Sequence, residues 1–171
     1  LFENGGVYCH ATGFKILMDC KLKRGSAALR TLKKIMPDSE KNPSSQSGAE
    51  PYVFTNCYAT HPKYYGRSYW SWTTGTSSWA MMGLYEGILG IKRDYEGLRI
   101  DPAFPAEWKQ AQVKRHFRNA EYEILYKNPE QTENGALQIL ADGMPIEGNL
   151  LPDYRDGKCH KIQVVISSRN L

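Results

Sequence analysis

The chain has few cysteines, and none of them stands in a metal-binding arrangement. Cys9, Cys20, Cys57 and Cys159 form no CxxC pair and share no zinc-type spacing. So sparse a set argues against a disulfide scaffold and against a structural metal site. We therefore expect free thiols in a reducing compartment, no bound metal and no organic cofactor.

Other common signals are missing as well. No apolar run has membrane length and no secretory leader is recognisable, although the sequence opens within a motif at Leu1-Phe2-Glu3. The net charge of +4 is spread over small clusters and forms no basic arm. There is neither a glycine-rich nucleotide loop nor a serine nucleophile elbow. These absences predict a cytoplasmic protein with no membrane and no nucleic-acid partner.

The first half of the sequence has the hydrophobic period of helices. We predict helices over residues 12–21 and 79–89, with Gly90 ending the latter. Between them, Ser26 is expected to cap a helix that Pro37 ends. Its apolar face would consist of Leu29, Leu32, Ile35 and Met36.

Two long segments between these helices are predicted to be irregular. Residues 38–48 are rich in Ser, Asn and Pro, and residues 51–70 are aromatic and are expected to run over a cavity. Three helices with such connections do not close a bundle by themselves. We therefore expect the chain to be a fragment that packs against further helices of a longer polypeptide.

The second half changes to a period of two, which is typical of strands with one buried face. The alternating apolar residues are Tyr122, Ile124 and Tyr126, then Leu137 and Ile139, and then Ile162, Val164 and Ile166. Asp142-Gly143 and Asp156-Gly157 are predicted to form hairpin turns. The fold class is therefore mixed, with helices followed by a β-sandwich.

A histidine follows two glycines just before the first predicted helix. His10 is either a packed or capping side chain, or an anion ligand near a helix start, where free N–H groups and the helix dipole favour negative charge.

A second polar segment, Thr74-Gly75-Thr76, also precedes a helix. Threonine before a helix is commonly a cap. Alternatively, a hydroxyl beside a glycine N–H forms an oxyanion cradle, because glycine permits a close backbone approach.

Taken in order, the motif segments of the whole chain are more specific than either motif alone. They are ENGGVYCH at 3–10, EPYVF at 50–54, SWTTGT at 71–76, GILGI at 87–91, DYEGLRIDP at 94–102, FRNA at 117–120 and NP at 128–129. In this order and spacing they resemble the C-terminal part of the inverting disaccharide phosphorylases of glycoside hydrolase family 94, such as the cellobiose and chitobiose phosphorylases.

The resemblance implies a fold and an activity. Residues 1–100 would be the last, incomplete part of an (α/α)₆ catalytic barrel, and residues 101–171 a jelly-roll-like β-sandwich domain. The activity would be reversible phosphorolysis of a β-linked glucosyl disaccharide to α-glucose 1-phosphate and an acceptor sugar. Inorganic phosphate would be the co-substrate, the remainder of the barrel a partner, and the assembly a homodimer.

The resemblance also implies roles for individual residues. His10, Thr74 and Gly75 match phosphate ligands, Glu3 matches a ligand of the acceptor sugar, and Asn56 stands where a glutamine contacts sugar. The general acid of the family, an aspartate, and a phosphate-binding arginine would lie upstream, so no catalytic residue is expected in this chain and the chain alone is expected to be inactive.

One departure from the family pattern bears on the acceptor. Lys15 stands one turn after His10, where relatives tend to be apolar, and Lys63 and Arg67 lie in the aromatic segment. Lys15 either recognises an acidic acceptor, which favours an aldonic acid over glucose or N-acetylglucosamine, or it points to solvent.

Two other functions remain open at this point. A non-catalytic carbohydrate-binding module would use the aromatic side chains, and its affinity would not depend on phosphate. A hydrolase on the same barrel would need two facing carboxylates, but Glu50, Glu86 and Asp101 are interpreted as structural.

Overall fold

The computed structural model describes residues 5–37 and 39–168. The first part contains strands β1 (Gly6–Tyr8), β2 (Cys57–Ala59) and β3 (Ser68–Tyr69), and helices α1 (Cys9–Lys21), α2 (Gly25–Ile35), α3 (Ser44–Ser47) and α4 (Thr76–Met82). A 3₁₀ turn spans Pro62–Tyr64, and a π-helical turn, Gly83–Ile88, continues α4. The second part contains strands β4 (Ile91–Arg93), β5 (Leu98–Ile100), β6 (Gln110–Phe117), β7 (Ala120–Lys127), β8 (Ala136–Ala141), β9 (Met144–Pro145), β10 (Leu150–Leu151) and β11 (Cys159–Ser167).

Helix α2 has the predicted amphipathic face, but its ends differ from the prediction. Arg24 occupies the N-cap position, and the hydroxyl of Ser26 instead accepts a hydrogen bond from the backbone N–H of Ala106. The predicted cap at Ser26 is therefore wrong, because this hydroxyl is committed to the following part of the chain. Met36 lies just beyond the helix and is exposed, since the backbone is already extended there before Pro37.

Helix α1 and the segment formed by α4 and the π turn lie side by side and run parallel. The glycines of the two segments let them approach closely, since a methyl group on any one of them would meet the opposite side chain at less than 3 Å. The contacts advance together along the two segments: Gly13 with Trp79, Ile16 with Gly83, and Cys20 with Gly87. The N-terminal ends of both helices therefore lie at the same end of the pair.

The helix predicted over residues 79–89 begins earlier and changes its winding. It starts at Thr76, and beyond Met82 the backbone becomes π-helical, with the N–H of Leu89 bonded to the carbonyl of Leu84 at 2.9 Å. Gly90 has φ +66°, so the predicted glycine stop is confirmed.

The segments predicted to be irregular contain short regular elements. Residues 51–70 include β2 and β3, which extend β1 into a three-stranded antiparallel sheet in the order β1-β2-β3. Helix α3 interrupts the predicted loop at 38–48. Runs this short leave no periodic signal in the sequence.

The strands of the second part form two sheets. One has the order β10-β5-β4 and the other β6-β7-β11-β8-β9. All neighbours are antiparallel except β11 and β7, which pair in parallel. The predicted alternation is confirmed in β7, where Tyr122, Ile124 and Tyr126 are fully buried, and in β11, where Ile162, Val164 and Ile166 are buried.

One of the two predicted hairpins is present. Asp142 and Gly143 have φ +50° and +83° and connect the antiparallel strands β8 and β9. The Asp156-Gly157 hairpin is wrong: this turn joins β10 to β11, but β10 pairs with β5, and β11 with β7 and β8. Arg118 and Asn119, both with positive φ, form the tight turn between β6 and β7 instead.

Two apolar clusters hold the molecule together. One lies among α1, α2 and the α4 segment, and the other is shared by the two sheets of the second part. Leu84 and Trp108 pack against both clusters. The architecture is therefore mixed, with few helices and several mainly antiparallel sheets, and the predicted domain boundary after residue 100 stays a prediction.

All four cysteines are free thiols. Among residues 5–37 and 39–168, no helix combines the length and the apolar character needed to cross a bilayer. Within the same residues, no group of three or more His, Cys, Asp or Glu side chains is arranged so that it could hold a metal ion.

Candidate functional site

The start of α1 is fixed by the three-stranded sheet. Strand β1 runs directly into α1, and the N–H of Cys9 donates to the backbone carbonyl of Asn56 at 2.8 Å. Tyr8 is the N-cap residue, and within the described chain no side chain caps this helix. His10 therefore lies in the first turn of a helix whose leading N–H groups are not used by a side-chain cap.

The start of α4 is organised by a threonine pair. Gly75 is the N-cap residue. The hydroxyl of Thr74 accepts from the backbone N–H of Thr76 at 3.2 Å and lies 2.8 Å from the hydroxyl of Thr76. Thr76 is fully buried, whereas Thr74 and Gly75 are half-buried.

His10 lies directly against Gly75. A methyl group built on Gly75 would be 3.0 Å from Cε1 and 3.2 Å from Nε2 of the imidazole. The backbone of Gly75 has φ −83°, which any residue adopts. The glycine is therefore required by the proximity of the histidine ring and not by the local backbone conformation.

Aromatic side chains surround the His10 ring. Its centroid lies 5.7 Å from that of Tyr8, 5.8 Å from Phe14 and 6.5 Å from Trp79. Phe14 and Trp79 themselves meet edge to face at 4.6 Å. This packing restricts the ring, while the described residues offer it no hydrogen-bond partner, so its nitrogens remain available to a ligand.

Asn56 joins the two helix starts. Its backbone carbonyl accepts from Cys9, and its side-chain Nδ2 donates to the hydroxyl of Thr74 at 3.2 Å. The structure thus brings together four residues singled out in the sequence. We call this group the helix-start cluster, and it consists of His10, Asn56, Thr74 and Gly75.

The electrostatic setting of the helix-start cluster suits an anion. Because α1 and the α4 segment run parallel, the positive ends of their dipoles meet there. Burial, and next the nearby Cys57, raise the pKa of the Cys9 thiol to about 12. Burial, followed by Cys9, likewise raises the pKa of Tyr58 to about 12. Both groups are therefore neutral at physiological pH and add no negative charge.

One described residue that was predicted for the site, Lys15, stands apart from the cluster. The ammonium of Lys15 is bonded to Asp19 at 2.6 Å, one turn along α1, and to the hydroxyl of Thr31 at 2.9 Å. Asp19 is buried, so Lys15 compensates its charge. Glu3 lies outside the described residues.

Two of the three carboxylates interpreted as structural, Glu50 and Asp101, have structural partners. Glu50 accepts from the indole N–H of Trp72 at 3.0 Å, and hydrogen bonds from its own backbone N–H and from Trp72 lower its pKa. Asp101 is bonded to both Lys23 and Lys92. Burial opposes ionisation of Asp101, but the two lysines outweigh it and lower its pKa.

Three contacts of the site were not predicted from the sequence. Thr76 bonds to Thr74, Trp79 packs near the His10 ring, and Asn56 donates to Thr74. The threonines on both sides of Gly75 are a visible signal, since a hydroxyl two residues from another at a helix start is within bonding reach. No local signal marks the approach of Asn56, because it depends on the pairing of β1 with β2.

Comparison with known proteins gives an independent view of the chain. The family model "Glycosyl hydrolase 94 superfamily, catalytic domain" matches residues 1–90. Solabiose phosphorylase of Paenibacillus borealis is 37% identical over 166 residues, which are 96% of this chain and 22% of that protein. N,N'-diacetylchitobiose phosphorylase of Vibrio proteolyticus is 30% identical over 96% of this chain and 20% of its own length.

A third relative is similar to the same extent. The 3-O-beta-D-glucopyranosyl-beta-D-glucuronide phosphorylase of Paenibacillus borealis is 37% identical over 95% of this chain and 21% of its own length. The chain thus spans about a fifth of the length of the curated relatives it matches. The family match covers all four residues of the helix-start cluster, and because it extends over more than half of the sequence, the chain belongs to the glycosyl hydrolase 94 superfamily.

Proposed function

We propose that this chain supplies the phosphate-binding part of an enzyme that phosphorolyses a β-linked glucosyl disaccharide, reversibly and with inversion, to α-glucose 1-phosphate and an acceptor sugar. The observation that carries the proposal is the meeting of two parallel helix starts at His10, Asn56, Thr74 and Gly75. The names of the relatives support the reaction class, since each is a phosphorylase.

The chemistry of the cluster fits inorganic phosphate. In the proposed complex, the imidazole of His10, the hydroxyl of Thr74 and the N–H of Gly75 donate to phosphate oxygens, and both helix dipoles favour the negative charge. Aimed donors that need no rearrangement are the main way in which a protein stabilises charge in a transition state.

The same cluster explains why no catalytic base is needed in this chain. An inverting hydrolase needs a carboxylate to activate water on the face opposite the leaving group. Phosphate is already a nucleophilic anion, so the site has only to bind and orient it. In the proposal, an aspartic acid elsewhere in the polypeptide protonates the leaving oxygen, an arginine elsewhere also binds phosphate, and this chain alone is inactive.

Release of inorganic phosphate from α-glucose 1-phosphate tests the proposal. The complete polypeptide that contains this chain is assayed with glucose, N-acetylglucosamine and gluconate as separate acceptors. Release with one of them is expected, together with a large loss in His10→Asn and none in Ser78→Ala, an exposed residue in the first turn of α4. Sugar binding that does not depend on phosphate, without any release of phosphate, would favour a carbohydrate-binding module. Formation of free glucose from the disaccharide would favour a hydrolase.

The acceptor is the finer part of the proposal. The cellobionic acid phosphorylase of Neurospora crassa, 33% identical over 127 residues, and the glucuronide phosphorylase both carry acidic sugars in their names, which supports an acidic acceptor, and the first of them supports an aldonic acid. Lys15 would bind its carboxylate only by leaving Asp19. If it does so, Lys15→Ala raises the KM for gluconate much more than the KM for phosphate; equal effects would exclude this role.

The architecture proposed for the complete enzyme follows the same reasoning. We place α1, α2 and the α4 segment among the last helices of an (α/α)₆ barrel, and the sheets of the second part in a jelly-roll-like β-sandwich. A homodimer is proposed as the assembly. Light scattering of the complete polypeptide tests the dimer.

A further inference from the structure

The hydrogen bonds of Thr74 constrain the direction of its own O–H. A hydroxyl has one hydrogen to donate and two lone pairs that accept. The oxygen of Thr74 lies 3.2 Å from Nδ2 of Asn56 and 3.2 Å from the backbone N of Thr76, and both of these groups are donors. Its two acceptor positions are therefore filled from within the protein.

It follows that Thr74 is left with a donor and no free acceptor. The third neighbour of its oxygen is the hydroxyl of Thr76 at 2.8 Å, where either atom is able to donate. A hydrogen donated by Thr76 would find no free lone pair on the Thr74 oxygen. The O–H of Thr74 is therefore the donor, and it donates either to the hydroxyl of Thr76 or to a ligand. An anion, which only accepts, is the ligand that such a group suits.

Asn56 also fixes where this donor stands. Its backbone carbonyl accepts from Cys9, the residue before His10, while its amide holds Thr74, the residue before Gly75. Asn56, the residue immediately before β2, thus joins the start of α1 to the start of α4. Its removal would free both the orientation of the Thr74 hydroxyl and the separation of the two helix starts.

We propose that Asn56 is a positioning residue for phosphate, which acts through Thr74 by filling one of the two acceptor positions of its hydroxyl and turning its O–H towards the anion. The inference rests on the proposed phosphorylase function and deepens it. It assigns Asn56 to the phosphate side of the site, whereas the family resemblance assigns that position to sugar. The two assignments differ in which Michaelis constant a substitution changes.

A double-mutant cycle in the complete polypeptide tests the inference. Asn56→Leu, Thr74→Val and the double variant are compared with the unmodified protein for KM of phosphate, KM of disaccharide and kcat. We expect Asn56→Leu to raise the KM of phosphate about tenfold, the size expected for one weakened hydrogen bond to a charged group, and to leave the KM of the disaccharide nearly unchanged. The double variant should resemble Thr74→Val alone, because Asn56 acts through that hydroxyl.

A second substitution keeps the shape and reverses the chemistry. Asn56→Asp has no N–H to give, so its carboxylate would draw the Thr74 hydrogen towards itself and repel phosphate. Phosphate binding should then recover as the pH falls and the new carboxyl becomes protonated, which a purely structural defect would not do. Asn134→Leu, an exposed amide in the second part of the chain, is the control for substitution as such and should behave as the unmodified protein.

Several results would overturn the inference. These are a rise in the disaccharide KM instead of the phosphate KM, fully additive effects in the double variant, or a pH-independent defect in Asn56→Asp. Absence of phosphorolysis in the unmodified protein would overturn the proposed function instead, so the two failures are distinguishable. Equilibrium titration of each variant with inorganic phosphate provides the same comparison if a substitution abolishes turnover.

Discussion

The position of the His10 ring depends on the absence of a side chain at Gly75. The imidazole occupies the space that any larger residue at position 75 would need. Since the glycine backbone is ordinary, with φ −83°, alanine there is compatible with the fold of α4. The cost of a substitution is therefore expected in the site and not in the stability of the protein.

Gly75→Ala is expected to displace the His10 ring slightly and to lower kcat/KM for phosphate about tenfold, less than the roughly 100-fold loss that a displacement of about 1 Å causes. The melting temperature should change little. Kinetics at varied phosphate concentration measure the effect, with Ser78→Ala as the control. Unchanged phosphate kinetics would mean that His10 is not held by this contact.

A second histidine, outside the candidate site, is held between two acids. His160 is buried, with Nδ1 2.7 Å from Asp142 and Nε2 3.0 Å from Asp156. Its ring stacks on Tyr154, with centroids 3.4 Å apart and planes 2° from parallel. Burial disfavours the charged form, but the hydrogen bonds to the two carboxylates outweigh it and raise the pKa of His160. The two carboxylates thus favour the protonated form of the ring, which joins two turns to β11.

The stability of the protein should therefore fall as the pH rises above neutrality. A raised pKa in the folded state contributes stability that is fully present below the unfolded pKa of about 6.5 and is lost as the pH passes the folded value. Asp142 and Asp156, whose pKa values are lowered by His160, lose their contribution only in acid, below about pH 4. Tyr154, whose pKa is raised by burial and by Asp142, stays neutral throughout.

Urea unfolding at a series of pH values measures this dependence. At about pH 6, His160→Gln should have a lower free energy of unfolding than the unmodified protein. Above that pH its free energy of unfolding should decline much less. His116→Gln is the matched control, because His116 also faces a carboxylate, Glu121 at 3.1 Å, but is mostly exposed. If the stability of His160→Gln depends on pH in the same way as that of the unmodified protein, His160 is not the source of the decline.

Among single residues, sequence reasoning succeeded where chemistry and local spacing were enough. His10 and Thr74-Gly75 each stand before a helix and are candidate anion ligands for that reason, the family resemblance groups them, and the structure brings them together. The bond from Asn56 to Thr74 was not foreseen, because it spans two elements. The same is true of the contact between Lys15 and Thr31.

At the scale of elements, the parallel pair of α1 and the α4 segment depends on glycines on the inner face. Gly87 lies against Cys20, where a methyl group would come within 2.7 Å of the sulfur. Glycine in a helix costs about 1 kcal/mol relative to alanine. Its presence here therefore reflects the close approach of the two helices, which in turn sets the two helix starts side by side.

Gly87→Ala is expected to lower the free energy of unfolding by about 1–3 kcal/mol, since the overpacking exceeds the gain in helix propensity. Cys20→Ala removes the sulfur that the new methyl group meets. The double variant should therefore lose less stability than the sum of the two single variants. Chemical denaturation of all three gives the answer, and strict additivity would contradict a direct contact.

Strands with one buried face were predictable, but their partners were not. The alternation of β7 and β11 was visible in the sequence because the period of two needs only local residues. Their parallel pairing was hidden, since alternation says which face is buried and not which strand is adjacent. The Asp156-Gly157 turn was misread for that reason: a turn sequence does not reveal whether its flanking strands pair.

At the scale of the whole molecule, Trp108 connects the two apolar clusters. It packs against both, and its ring meets Phe104 edge to face at 5.6 Å. A side chain shared by two clusters couples their unfolding, because either cluster loses packing when the other opens.

Trp108→Ala should cost about 3 kcal/mol, the lower end for removal of a large core aromatic because the residue is half-buried. It should also broaden or divide the thermal transition. Differential scanning calorimetry measures both effects. Trp72→Ala, which removes an exposed tryptophan, is the control and should keep one transition. A single, equally sharp transition in Trp108→Ala would show that the clusters are coupled elsewhere.

The place of β11 in its sheet has a consequence for biosynthesis. This strand lies between β7 and β8, yet it is made after every other strand of the sheet. While a ribosome is still translating the residues between β7 and β11, the edge of β7 is open and its backbone groups are available to other nascent chains. A stalled or prematurely terminated product would keep that open edge, and protection by chaperones would matter most in the interval before β11 emerges.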